Sequence, residues 1–217
     1  GTNGSARCAG PWIRPSGARL RARLGRASER GQDAGSKRRA PGRHCGRNGA
    51  NSVMADYRLH GFAESGNAYK PALLLALCKA DWDYVHVDFF KGEARSPDFL
   101  ALNPMGEAPV LEGPAGPDGK RPVLTQSGAI LTRLARDLGR FGGATPEEGD
   151  EILRWILWDN HKLTNFTATH RFLTNFAPEK VRNPDVIGFL DGRRRAAMKV
   201  LEGRLTQQDW VALPGEP

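Results

Sequence analysis

The chain lacks a long apolar run. A membrane-spanning helix needs roughly 20 such residues, and nothing after Met54 approaches that length. Cysteine is scarce. Cys8, Cys45 and Cys78 are too few and too scattered for a disulfide framework, and no Cys-x-x-Cys pair exists, which excludes a dithiol redox site. Cys78 stands inside an apolar run and reads as a reduced, packed thiol of a cytoplasmic protein. The five histidines show no metal-ligand spacing such as His-Glu-x-x-His, so no metal is expected, and His86 reads as an exposed strand position. Methionine is missing before Met54.

Basic charge is also missing from most of the chain, despite a net charge of +8. Residues 1–53 hold 12 basic against two acidic side chains, and residues 54–217 hold 20 against 22. The first segment is rich in Arg, Gly, Ala and Ser. It has too few large apolar side chains to offset chain entropy and reads as a disordered basic leader. A transit peptide and a nucleic-acid-binding arm both suit an Arg-rich, acid-poor segment. Translated sequence upstream of a start at Met54 is the favoured reading, because ordered pattern begins immediately afterwards. Aromatic interleaving is absent beyond Trp12, so a nucleic-acid partner is not expected.

From Tyr57 to Phe62 polar and apolar residues alternate as in a strand. Ser65 then suits the N-cap of a Leu-rich helix over Ala68 to Ala80, with Pro71 making its first turns irregular. Alternation over Tyr84 to Phe89 predicts a second strand, and residues 96–102 a short helix. Short strands at 108–112 and 122–125 flank a loop ending in Asp118-Gly119, a hairpin signature. Ser127 suits the N-cap of the next helix, whose apolar face carries Ile130, Leu131, Leu134, Ala135 and Leu138 before Gly139 closes it. The order β-α-β-α-β-β-α implies a mixed sheet with a parallel crossover, the thioredoxin-like plan, over residues 54–140.

Beyond Phe141-Gly142-Gly143-Ala144 the pattern is all-helical over 145–217. Thr145-Pro146-Glu147-Glu148 is a capping box with Pro at the first helical position. The helix that follows is apolar on more than one face, which predicts burial against the first domain and a second subunit. Another helix is expected from about Pro184 to Leu205. Two main helices make a thin, partial domain. Arg193-Arg194-Arg195 reads as a solvated face, and the sequon at Asn165 lacks a secretory signal.

Three junctions carry candidate chemistry. Ser65-Gly66-Asn67 stands where a strand meets a helix N-terminus, a place that favours anions and thiolates. A Ser65 hydroxyl there can lower a thiol pKa, although capping alone also accounts for it. Asn103-Pro104-Met105-Gly106-Glu107-Ala108-Pro109 leads into a strand, where Pro109 is allowed without function, while a cis bond, the minority state, would expose the Ala108 backbone to a ligand. Gln126-Ser127 opens a helix and suits either a cap or a carboxylate site.

In order and spacing these stretches resemble the glutathione S-transferase family, through its Asn-Pro-x-Gly-x-x-Pro-x-Leu loop and its Glu/Gln-Ser-x-Ala-Ile helix start. Ser-Gly-Asn followed by Tyr-Lys is similar to bacterial and fungal members that use serine or Thr-x-Asn chemistry, some of them disulfide-bond reductases. The resemblance implies an α/β thioredoxin-like N-terminal domain, an all-α C-terminal domain and a homodimer. It implies glutathione as co-substrate, conjugated to small electrophiles in detoxification. Ser65 would activate the thiol, with Asn67 beside it. Pro109 would be cis, and Ala108 would pair its backbone with the cysteinyl part. Gln126 and Ser127 would hold the γ-glutamyl end. The electrophile would sit near His161 or Arg171. Glutathione-dependent disulfide or peroxide reduction is the first alternative, and a non-catalytic binding module the second. Two departures stand out. Gln126 stands where many members have Glu, so the γ-glutamyl ammonium loses a full countercharge, and further helices follow in the family where this chain ends.

Overall fold

The computed structural model describes residues 55–214. The leader, with Cys8, Cys45 and His44, lies outside the described residues. Strand β1 (Tyr57–Gly61) leads to helix α1 (Gly66–Leu77), then β2 (Trp82–His86), α2 (Pro97–Leu102), β3 (Val110–Glu112), β4 (Val123–Thr125) and α3 (Ser127–Leu138). The sheet order is β2-β1-β3-β4. β1 pairs β2 in parallel and β3 antiparallel, and β3 pairs β4 antiparallel. β4 therefore runs parallel to β1, and both end at the edge of the sheet from which β3 sets out. This is the expected thioredoxin-like plan.

Period-two alternation feeds two cores. Tyr57, Leu59 and Leu111 meet Leu74, Leu75, Ile130 and Leu134 from α1 and α3 on one face of the sheet. On the other face, Val110 joins Val87, Ala94 and Phe99. Val110 and Leu111 are neighbours that point to opposite faces, and both are buried. Cys78 is half-buried at the end of α1 and packs against the first core. It is less enclosed than its apolar run suggested. Arg121 donates to the carbonyls of Ala55, Asp56 and Gly113, clamping the entry of β1 to the β3–β4 hairpin.

Local signals mostly landed where expected. Ser65 caps α1, accepting from Ala68 N at 3.1 Å, and Ser96 caps α2 in the same way. Gly139 closes α3 at φ 66°. Three expectations are corrected. The second strand lies at Trp82–His86, because pairing with β1 runs from Tyr57–Trp82 to Gly61–His86 and Phe89 falls in a 3₁₀ turn. Pro71 sits inside a regular α1, since its buried ring fits the core. It offers no N–H to the Asn67 carbonyl one turn before. Ser127 is the first helical residue rather than the cap. Gln126, at φ 67°, takes the cap position without a side-chain bond, which frees the Ser127 hydroxyl.

Among the described residues the helical region holds three α-helices, not two. α4 (Pro146–Trp158) continues through a π turn (Asp159–Leu163) into α5 (Thr164–Asn175), and α6 (Pro184–Leu205) packs along α5. Thr145 accepts from Glu148 N, while the Glu148 carboxylate reaches Ala144 N at 2.6 Å, one residue before the reciprocal partner of a capping box. Of α4 only Trp155 is buried, and Leu153 and Leu157 are exposed in the single chain. The arginine run on α6 is engaged rather than simply solvated. Arg194 and Arg195 both pair with Asp191, and Arg193 lies over the Phe166 ring.

Glu151 on α4 accepts from Arg154 and from the Trp155 indole, and Arg204 of α6 approaches it at 3.3 Å. The Arg154 hydrogen bond, then the Trp155 N–H, pull its pKa down to about 2. A folded-state pKa below the ordinary value of 4.5 stabilises the fold above that value. The contribution fades as pH falls through about 2. The gap in Tm between the native chain and Glu151→Gln is therefore expected to be present at pH 7 and to shrink in acid, read by thermal melts across that range. A gap unchanged at all pH values would contradict this linkage.

Gly128 in the first turn of α3 is where the two helical layers touch. A Cβ there would stand 2.7 Å from both Asn160 Nδ2 and Ile156 Cγ2. The β-branched Ile156 has little freedom to yield. Gly128→Ala is expected to cost about 1–3 kcal/mol through overpacking, measurable in urea melts, even though Ala is the better helix former. A stabilised variant would contradict it.

Candidate functional site

Topology brings three loops to one edge of the sheet. The β1–α1 turn, the segment entering β3 and the β4–α3 turn all meet there, opposite the π turn and α5. Together they line a cleft. Asn67, Ala108, Pro109, Gln126 and Ser127 all face it, as do Glu107 from the β3 entry and Asn160, Thr164 and Asn165 from the helical wall. The Ala108–Pro109 bond is cis. Ser65 is not among the lining residues. Its oxygen is turned to the α1 backbone as the cap, and Asn67, two residues on, takes the position facing the cleft. His161 and Arg171 do not line the cleft either. Arg171 donates to the Glu64 carbonyl at 2.8 Å and lies over the Phe176 ring.

The floor of the cleft is a polar network. Ser127 Oγ lies 3.2 Å from Asn67 Oδ1 and 3.4 Å from Asn160 Oδ1. Behind it, Lys70 Nζ bonds Asp159 at 2.6 Å, Asn160 Oδ1 at 3.1 Å and Thr164 Oγ1 at 3.4 Å, tying α1 to the π turn. A π turn adds a residue to the helical circuit and often marks a functional site. Here its residue Asn160 lines the cleft and Asp159 anchors the wall. The first N–H groups of α3, at Ser127 and Gly128, have no partner within the helix and present a partial positive charge at the cleft.

The β3 entry is held by a buried amide. Asn103, only 1% exposed, donates to the Glu107 carbonyl at 2.6 Å and accepts from Met105 N at 3.1 Å. Gly106 turns the loop at φ 63°, where a Cβ would stand 2.9 Å from the Ala94 carbonyl. Next to it the Glu107 carboxylate accepts from Gln126 Nε2 at 3.1 Å. Sequence reasoning missed Glu107 and Asn103 as site residues, and it placed the helical side near His161 or Arg171 where Asn160, Thr164 and Asn165 stand. The signal for Asn103 was there, since a polar residue opening a Pro–Gly turn is often its internal staple. Among the described residues no group of three or more His, Cys, Asp or Glu side chains is placed to hold a metal ion, and no helix is long and apolar enough to cross a membrane.

A thioredoxin-like sheet, a cis-proline beside the cleft and an abutting helical region define a glutathione-transferase architecture. The family model for the glutathione S-transferase N-terminal domain matches residues 55–136. Glutathione S-transferase 1 of Dianthus caryophyllus is 44% identical over 170 residues, covering 65% of this chain and 76% of that protein. Disulfide-bond oxidoreductase YfcG of Escherichia coli K12 is 28% identical over 151 residues, 69% of each chain. A solved glutathione transferase from Burkholderia graminis, with two glutathione molecules bound per subunit, shares the fold at a TM-score of 0.67 and 23% identity, covering 75% of this chain and 68% of that one. The chain belongs to the glutathione S-transferase family.

Proposed function

We propose that the chain binds glutathione in this cleft as a thiolate and conjugates it to small electrophiles, as a cytoplasmic homodimer. Residues 54–140 form the glutathione-binding domain, and residues 145–217 wall the electrophile side. The observation that carries this reading is the convergence of Asn67, Ala108, Pro109, Gln126 and Ser127 on one cleft. The γ-glutamyl carboxylate lies on the first N–H groups of α3, beside Gln126 and Ser127. The cysteinyl backbone pairs with the main chain of Ala108 next to Pro109. This directs the sulfur toward the start of α1, where the Asn67 amide donates to the thiolate. Ser65 holds the helix end that presents Asn67, and its own hydroxyl proton stays free to join. The thiol proton leaves to solvent. The sulfur attacks the electrophilic carbon, a C–S bond forms, and the leaving group departs with its bonding pair.

Glutathione-dependent disulfide reduction is the second reading. The cleft position of Asn67 rather than Ser65, and the likeness to YfcG, favour it. One thiolate attacks the disulfide and a second glutathione resolves the mixed product, so two glutathiones supply both electrons and no protein thiol is required. The test is retention of the full chain on immobilised glutathione, with turnover of an aryl halide compared with a small mixed disulfide. Retention with faster aryl-halide turnover supports conjugation. Faster disulfide turnover assigns reduction. Neither retention nor turnover rejects both.

A further inference from the structure

We propose that Glu107 supplies the negative charge that receives the γ-glutamyl ammonium group, taking over the countercharge that Gln126 lacks. The inference rests on the glutathione reading above. Glu107 is the one formally charged side chain among the residues lining the cleft, and all the others are neutral. Its Oε2 stands 3.1 Å from Gln126 Nε2, at the end of the cleft assigned to the γ-glutamyl group. A carboxylate only accepts hydrogen bonds, so the Gln126 amide turns its NH₂ to Glu107 and leaves its carbonyl oxygen as an acceptor. An ammonium has three donors and no acceptor, and this pair offers it a carboxylate and an amide oxygen side by side.

Charge arithmetic at the site agrees. The γ-glutamyl end carries one carboxylate and one ammonium. The partial positive end of α3 attracts the first and repels the second. Glu107 apart, the residues of this chain that line the cleft offer the ammonium only amides and hydroxyls. Glu107 is also a built feature rather than a loop tip that happens to be near. Its carbonyl is gripped by buried Asn103, and the preceding Gly106 takes a left-handed turn packed against Ala94 and Arg95. The negative charge has thus moved across the cleft, from the helix start to the β3 entry.

Calorimetry on the full chain tests this with two probes, glutathione and its analogue with hydrogen in place of the γ-glutamyl ammonium. The native chain is expected to prefer glutathione by about fivefold, the range of a solvent-facing ion pair, and the preference should narrow in high salt. Glu107→Gln should remove the preference by weakening glutathione binding while leaving the analogue unaffected. The exchange variant Glu107→Gln with Gln126→Glu should restore it. Circular dichroism confirms folding of each variant. Equal weakening of both probes would make Glu107 a structural residue and overturn the proposal, as would a preference that survives Glu107→Gln. If the native chain binds neither probe, the glutathione reading falls and takes this inference with it.

Discussion

Asn67→Ala is expected to lower kcat/KM for glutathione-dependent turnover by roughly 10- to 100-fold with little change in folding. A hydrogen bond to an ionised partner contributes about 1.5–3 kcal/mol, and each 1.4 kcal/mol is a factor of about ten in rate. The geometry gives Asn67 this weight. Ser127 lies 3.2 Å from its Oδ1 and can donate to it, which leaves the amide NH₂ for the cleft. Removing that donor also removes a force that lowers the thiol pKa, so the alkaline rise of kcat/KM should move to higher pH. A variant that merely loosened the cleft would lose activity at every pH without that displacement. Ser65→Ala is the contrast. Loss of an N-cap costs about 1 kcal/mol of stability, and its oxygen already serves Ala68 N. It should lower Tm more than it lowers turnover. The reverse ranking of the two variants in activity would return the thiol to Ser65.

Leu59→Ala is expected to have the largest effect on stability, about 2–5 kcal/mol. Leu59 has no exposure and sits mid-strand in the centre of the sheet. It belongs to the cluster in which α1 and α3 meet the sheet through Leu75, Ile130 and Leu134. Two neighbouring strands and two helices fix the walls, so the vacated volume has little means to collapse. Against a typical folding free energy of about 5–15 kcal/mol, one such truncation removes a large share. Urea unfolding should show a lower midpoint with the slope preserved. A loss under about 1 kcal/mol would mean that the two helices close over the gap.

What could be read in advance divides by the range of the cause. Tyr57–Gly61, the cap at Ser65, the start at Thr145 and the closing glycine at 139 are decided by residues a turn or less away. Each was legible. α5 was not, because Thr164, Thr167, Thr169 and Thr174 are poor helix formers, and the helix buries none of its residues. The site shows the same division. The three junctions could be found, but not which of Ser65 and Asn67 faces the cleft. That depends on where α3 stands, and Ser127 is 60 residues away from Asn67. Nothing beside Glu107 in the sequence marks it, because its partner Gln126 lies 19 positions later and only folding brings the two together. The cap assigned to Ser127 failed for a related reason. The positive φ of Gln126 moves the helix start and turns the serine to a long-range partner.

The position of β1 in the sheet has a consequence for the order in which the molecule assembles. It is the first strand of the described chain, yet it lies inside the sheet, flanked by residues 82–86 on one side and 110–112 on the other. During synthesis its parallel neighbour emerges first, while its second edge stays open until β3 is made. The pairing of Arg58 with Glu112 spans more than fifty residues, and such long-range closure is slow because loop entropy is lost before contacts form. The nascent chain therefore carries an open edge on β1 until β3 is made, and an uncovered patch around Leu59 until α3 has left the ribosome. Interruption before Glu112 would release a fragment with the aggregation hazard of an unpaired strand.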